Sequence, residues 1–285
     1  MIPSKFDYVR PKSVDEAVAA LKAGGEDSKV IAGGQSMLPL LRLRLAAPSV
    51  LVDCARIDEM KGIKDNGDSV TIGAATTHWD VLNSDIVKTH VKLLADATAT
   101  VADPQIRHRG TFGGALAHGD PAGDLPAVVL ALDATLEIAG SKGRRQVAAK
   151  DFFLDYFTTE VGPDEILVSI TIPKLGKGWG TCYEKFNRSA NGWAVVGVAA
   201  AVKVDGGKIT EARIALTNCA AVPVRASSVE SALKGVAAKV SEIEAASQSA
   251  AEGTRATSDL AADKEYREHL MRVITARAVS CAAGV

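Results

Sequence analysis

The chain lacks the features that mark a nucleic-acid-binding or membrane protein. Its 285 residues carry 33 Lys and Arg against 34 Asp and Glu, a formal net charge of -1. Nucleic acid or an anionic membrane as main partner leaves a basic excess, and none is present. No run approaches the roughly 18–20 apolar residues that span a bilayer. The opening "MIPSKFDYVRPKS" has charges with no apolar stretch behind them, so it does not read as a secretory signal. Cysteine is scarce: Cys54, Cys182, Cys219 and Cys281 lie far apart, with no C-x-x-C and no histidine at ligand spacing. That pattern offers neither an iron–sulfur nor a zinc site and fits a reducing cytoplasm. Neither G-x-x-x-x-G-K-S/T nor a G-x-G-x-x-G opening a helix occurs, and there is no internal repeat. The expectation is a soluble intracellular protein.

What is present is apolar bulk and a few glycine-rich loops. Hydrophobic residues make up 47% of the chain, enough for a large core and about two domains. Ser13 and Glu16 form a capping box, and Val14, Ala17, Val18 and Leu21 fall on one helical face. Gly24 and Gly25 stop that helix, and "KVIAGG" follows as a strand. Thr77 with Asp80 caps "HWDVLNS", and "VKLLADATATV" continues the alternation of strand and helix, a mixed α/β signature. After Thr135 the texture changes. A hairpin turns at Ser141 to Gly143, "EILVSITIP" is a strand ended by Pro173, and Gly206-Gly207 joins two further strands. Two helical stretches close the chain, "VRASSVESALKGVAAKVSEIEAA" and "KEYREHLMRVITARAVSCAAG". "PKLGKGWG", Pro173 to Gly180, is the best domain boundary.

Two loops carry the chemistry. "AGGQS", Ala32 to Ser36, leaves a strand with paired glycines and then hydrogen-bonding side chains. "RGTFGGALAHGDPAGDLPA", Arg109 to Ala127, repeats a hydroxyl beside paired glycines and adds an acidic, Pro-rich turn. Without Cβ atoms, backbone N–H groups approach an anion closely and form a nest for phosphate oxygens. Two such loops suit a ligand with two phosphates, with Asp124 to accept from a sugar or polyol hydroxyl. The plainer reading makes both glycine pairs turn or packing glycines. For Asp124 the plainer role is a helix N-cap ahead of "LPAVVLAL", with Pro126 in the first turn. His108 and His118 lack ligand spacing for a metal, so Arg107-His108-Arg109 reads as a solvated or subunit-facing turn.

Together with "YEKFNRSANGWAVVGVAAAV" at Tyr183 to Val202, these motifs resemble the FAD-binding medium subunits of molybdenum hydroxylases, most of all the aerobic carbon monoxide dehydrogenase branch. The opening "FDYVRPKSVDEAVAAL" and the closing "YREHLMRVITARAV" extend the likeness over nearly the whole chain. The resemblance implies an α+β fold: a vanillyl-alcohol-oxidase-type FAD-binding region over 1–177, with two α/β lobes of about 1–55 and 56–177, then a C-terminal α+β domain over 178–285 with a three-stranded sheet and helices. It implies pyrophosphate loops at Ala32, Gly33, Gly34, Gln35 and Ser36 and at Thr111, Gly113, Gly114 and Ala115. Val30, Ile31 and Met37 flank the first, Asp124 is a polar anchor, and Leu167 and Lys185 approach the flavin ring. Family members often have "TIGG" and "HADPAAD", so Phe112, Gly119 and Gly123 depart from the pattern, and the Phe112 side chain should point into the core. Lys185 is otherwise an exposed strand lysine. Trp193 shields the ring or fills a core, and core is favoured.

The implied chemistry is an electron relay through FAD to a quinone-type acceptor. A large molybdenum-cofactor subunit and a small subunit with two 2Fe–2S clusters are the implied partners, as a dimer of heterotrimers. The implied location is the cytoplasm, or the inner face of the membrane through the complex. The other readings are the same subunit in an N-heterocycle, nicotine-type or aldehyde hydroxylase, or a nucleotide-binding scaffold without redox turnover.

Overall fold

The structure, a computed structural model, describes residues 2–285. The first lobe is β1 (Asp7–Val9), α1 (Val14–Gly24), β2 (Ser28–Ile31), α2 (Met37–Leu43) and β3 (Val50–Asp53). Its three strands are parallel in the order β1-β3-β2, with Val30 opposite Val52. The Ser13 side chain accepts from the Glu16 N–H to start α1, and Gly25, at φ 69°, ends it. Val14, Ala17, Val18 and Leu21 are the buried face, as their spacing requires.

The second lobe begins with β4 (Ile63–Asp65) and β5 (Ser69–Gly73). Six short helices follow: α3 (His78–Asn83), α4 (Asp85–His90), α5 (Lys92–Ala99), α6 (Pro104–Arg107), α7 (Phe112–His118) and α8 (Asp124–Ala131). The chain returns through β6 (Thr135–Gly140), β7 (Gly143–Ala148), α9 (Ala149–Phe152), β8 (Phe153–Asp155), β9 (Thr158–Thr159) and β10 (Ile166–Pro173). The sheet order β4-β5-β10-β6-β7 puts the apolar strand β10 at the centre. Every residue of α8 is buried, so this helix is interior on all sides.

The C-terminal region is β11 (Trp179–Phe186), β12 (Val196–Asp205), β13 (Lys208–Thr217), β14 (Val224–Arg225), α10 (Ser227–Leu233), α11 (Val240–Ser247) and α12 (Lys264–Ala283). Three long antiparallel strands and a two-residue fourth form one sheet. Tyr183, Ala199 and Ala215 lie in register across it and belong to the core that the first and second lobes share. Cys182, Ala200 and Ile214, one residue along, belong to a separate core under α12. Side chains alternate across a strand, so β11 serves two cores at once.

Three expectations need correction. The stretch from Val224 is the short strand β14 and then two helices: Gly235, at φ 82°, separates α10 from α11. Trp193 fills no core; it stands 61% exposed on the loop between β11 and β12. Cys182 and Cys281, far apart in sequence, form a disulfide with Cα atoms 5.9 Å apart. Its cause is the docking of α12 on β11. A Cβ on Gly180 would lie 2.0 Å from the Ala282 carbonyl oxygen, so only glycine admits this approach. Cysteine spacing therefore carries no inference about a reducing compartment. Among the described residues no helix is long and apolar enough to cross a membrane, and no cluster of His, Cys, Asp and Glu could hold a metal.

Candidate functional site

The two glycine loops meet. A Cβ on Gly33 would sit 2.1 Å from the Arg109 carbonyl oxygen and 2.7 Å from the Gly110 Cα, so the first loop lies directly on the second. Val30 and Ile31 end β2, Val30 packing on the core, and Ala32 follows half-buried. Gly34, at φ 78°, turns the chain, and Met37 starts α2. Among the described residues the N–H groups of Gly33, Gly34, Gln35, Ser36 and Met37 have no acceptor. Ser36 precedes α2 without bonding it through its hydroxyl, which stays free. A run of unpaired amides at a helix start is an anion-binding arrangement.

The second loop is built differently. Thr111 is the N-cap of α7, its hydroxyl accepting from the Gly114 N–H at 3.1 Å. The Phe112 N–H donates to Thr76 O, the Gly113 N–H to Ala74 O and the Ala115 N–H to Thr111 O. A Cβ on Gly113 would lie 2.3 Å from that of Ala74. These glycines are required by packing, and Thr111 keeps only its own N–H and hydroxyl hydrogen for a ligand. The Phe112 side chain is fully buried, as expected. Leu167 is buried in β10 at an irregularity of its pairing with β6, next to Val168, whose carbonyl accepts from the Ala74 N–H.

Asp124 is not an N-cap. It is the first residue of α8; Gly123 holds the cap position and no side chain caps the helix. The Asp124 carboxylate instead accepts from the Tyr183 hydroxyl at 2.6 Å and from Lys185 Nζ at 2.9 Å. Tyr183 and Lys185 are two apart in β11 and so project from one face, both toward α8. Lys185 is no exposed strand lysine, since its side chain is only 6% exposed. Its Nζ also donates to Thr100 O at 3.0 Å, leaving one of three hydrogens free. Burial raises the Asp124 carboxyl above its usual value, against the opposing pull of Lys185 and Tyr183, and burial raises Tyr183 well above the usual phenol. The neighbouring turn is also anchored on the C-terminal sheet, where the Thr217 hydroxyl donates to Gly123 O and Pro121 O and the Asn218 N–H to Pro121 O.

A cleft of ≈ 400 Å³ opens at this junction, lined among others by Ala99, Thr100, Ala102, Lys185, Asn187 and Ala190. His108 and Arg109 are exposed, but Arg107 is half-buried and its Nη1 donates to the carbonyls of Ala99, Val101 and Ala102. His108 stacks on Trp79 at 4.1 Å between ring centroids. His78 is buried with Nδ1 unpartnered among the described residues, and burial lowers its pKa to about 4. Tyr183, Thr100 and Arg107 went unread in the sequence as site residues. The period-two spacing of Tyr183 to Lys185 was the available signal for the first.

A run of free amides in one loop and a cleft with one unused ammonium hydrogen are the two kinds of contact that an extended dinucleotide uses. Comparisons with known proteins agree. The family described as FAD binding domain in molybdopterin dehydrogenase matches residues 4–175, and CO dehydrogenase flavoprotein C-terminal domain matches 181–282. The chain is 40% identical over 282 residues to a carbon monoxide dehydrogenase medium chain of Hydrogenophaga pseudoflava, covering 99% of this chain and 98% of that one. It is 35% identical over 281 residues to the 6-hydroxypseudooxynicotine dehydrogenase complex subunit alpha of Paenarthrobacter nicotinovorans, covering 98% and 95%. A solved carbon monoxide dehydrogenase from Hydrogenophaga pseudoflava, which lacks the Mo-pyranopterin moiety of its cofactor, superposes with a TM-score of 0.97 at 42% identity, over 100% of this chain and 99% of that one. With fold, loops and both halves in agreement, the chain belongs to the FAD-binding medium subunits of the molybdenum hydroxylases, on the side of the carbon monoxide dehydrogenase medium chains.

Proposed function

We propose that this chain is the FAD-carrying medium subunit of an aerobic carbon monoxide dehydrogenase. In this reading it relays electrons from a small subunit with two 2Fe–2S clusters to a quinone-type acceptor, while a large subunit with the molybdenum cofactor oxidises the substrate. The observation that carries the cofactor assignment is the run of unpaired amides from Gly33 to Met37. Bound there, FAD supplies the redox chemistry, and the protein's part is to hold and tune it. The Gly33–Met37 amides and the Ser36 hydroxyl hold the diphosphate. Lys185 presents its remaining hydrogen and a positive charge to the cleft, which favours an electron-rich occupant. Asp124 and Thr100 fix that ammonium, and Tyr183 fixes Asp124.

The likeness to the 6-hydroxypseudooxynicotine dehydrogenase subunit and to a glyceraldehyde dehydrogenase medium chain supports a second reading, the same relay in an N-heterocycle or aldehyde hydroxylase. The test is the visible spectrum of the complex purified with its partner subunits. A flavin band that bleaches anaerobically under carbon monoxide supports the first reading. Bleaching only with an aldehyde or N-heterocycle supports the second. A flavin band that no substrate bleaches leaves a nucleotide-binding scaffold, and a complex without flavin sinks all three.

A further inference from the structure

One wall of the cleft is a tight turn with a strained backbone. The turn joins α5 to α6; Thr100 and Ala102 on it, with Ala99 at the end of α5, line the cleft. Ala102 has φ 41°, in the left-handed region that a Cβ disfavours. A strained residue persists only where its surroundings over-determine it. Here the surroundings are two cations. Lys185 takes the Thr100 carbonyl at 3.0 Å. Arg107 Nη1 takes the carbonyls of Ala99 at 3.3 Å, Val101 at 2.7 Å and Ala102 at 3.2 Å.

These carbonyls close the C-terminal end of α5, where helical partners run out and a guanidinium is a natural cap. The geometry points to Arg107 as a positioning residue: it holds the Thr100–Ala102 turn in the shape that forms the cleft wall and presents Thr100 O to Lys185. The aim of the Lys185 ammonium thus depends on a residue that does not line the cleft. Arg107 comes from α6, whose N-cap is Asp103, the residue after the strained alanine. Clamp and strain therefore lie within one short segment, and the segment brings its own restraint.

The inference rests on the assignment of FAD to the cleft, and a double-substitution cycle tests it on the assembled complex. Arg107→Met keeps the apolar stem and removes every donor. Ala102→Gly removes the Cβ that makes the turn strained. The readouts are the dissociation constant for FAD, from recovery of flavin fluorescence, and the visible circular dichroism of the bound flavin. Arg107→Met is expected to weaken FAD binding by about tenfold and alter the dichroism. With Ala102→Gly as the reference, adding Arg107→Met should change binding by no more than about twofold, since the turn then needs no clamp. If Arg107→Met fails to assemble alone but assembles with flavin in the double variant, the inference also stands. Equal weakening in both backgrounds, no weakening at all, or failure of both variants to assemble overturns it. A wild-type complex without flavin sinks the cofactor assignment instead.

Discussion

Gly33 and Arg109 touch through their backbones: a Cβ on the glycine would fall 2.1 Å from the arginine's carbonyl oxygen. Gly34 differs. It needs its φ of 78°, but its nearest obstacle is the flexible end of Leu38 at 3.0 Å. The two glycines therefore do different jobs. Gly33 permits one loop to lie on the other, and Gly34 shapes the amide run.

Gly33→Ala is accordingly expected to destabilise the fold itself, by about 1–3 kcal/mol from overpacking against immovable backbone. Gly34→Val should leave the chain folded while abolishing flavin retention. Far-ultraviolet melting with flavin quantification on both variants separates the two. A Gly33→Ala protein that melts like wild type, or a Gly34→Val protein with full flavin, contradicts this division.

Asp124→Asn should lower both flavin affinity and the melting temperature of the flavin-free chain. An N-cap role would have left the latter nearly unchanged. Removing the carboxylate strands the Lys185 ammonium in the interior, a loss of about 3–5 kcal/mol for a broken buried pair. The double variant Asp124→Asn with Lys185→Met should recover most of that stability but not the flavin. Equal melting of Asp124→Asn and wild type would show that the pair contributes nothing.

His78 gives the fold a pH dependence of known sign. Burial lowers its pKa from 6.5 to about 4, so the unfolded chain binds this proton more tightly than the folded one. The contribution is complete above the unfolded value and is lost as pH falls from 6.5 towards about 4. It amounts to about 3 kcal/mol once both states are protonated. Urea unfolding across that window should show a smaller loss of stability for His78→Gln than for wild type. Parallel curves would assign the slope to other groups.

Alkylation read by mass spectrometry should find four cysteines behaving as two pairs. Cys182 and Cys281 should be modified only after treatment with a dithiol reductant. Cys54 and Cys219 should stay unmodified until the chain unfolds, because both are fully buried and burial pushes the Cys54 thiol up to about 12 and Cys219 higher still. Opening a link between residues 99 apart should lower stability by up to about 4–5 kcal/mol in the chain-entropy account. Free Cys182 and Cys281 thiols in protein purified without reductant would refute the pairing.

Local pattern made much of the fold legible. The Gly206-Gly207 turn between β12 and β13, the apolar run of β10 and the buried face of α1 follow from spacing alone. The break at Gly235 was hidden among alanines that suit either one helix or two. Trp193 misled because bulk suggests burial, while its loop lies outside both cores. At the site, resemblance identified Asp124 and Lys185, but their pairing spans 61 residues and no periodicity reports it. The same holds for Arg107, whose charge looked like solvated surface because its acceptors are backbone carbonyls and leave no mark in side-chain pattern.

The double allegiance of β11 bears on what can be separated from what. The two family regions adjoin near residue 180, which invites treating them as independent pieces. Tyr183, Ala199 and Ala215 nevertheless complete the interior that the two preceding lobes share, while Cys182, one step along the same strand, belongs to the other interior. A chain severed ahead of Trp179 would leave the first piece with α8 uncovered and the second with an apolar sheet face in water. The seam in the sequence is thus no seam in the packing, and a cut or an exchange between relatives made there would bare apolar surface on both pieces.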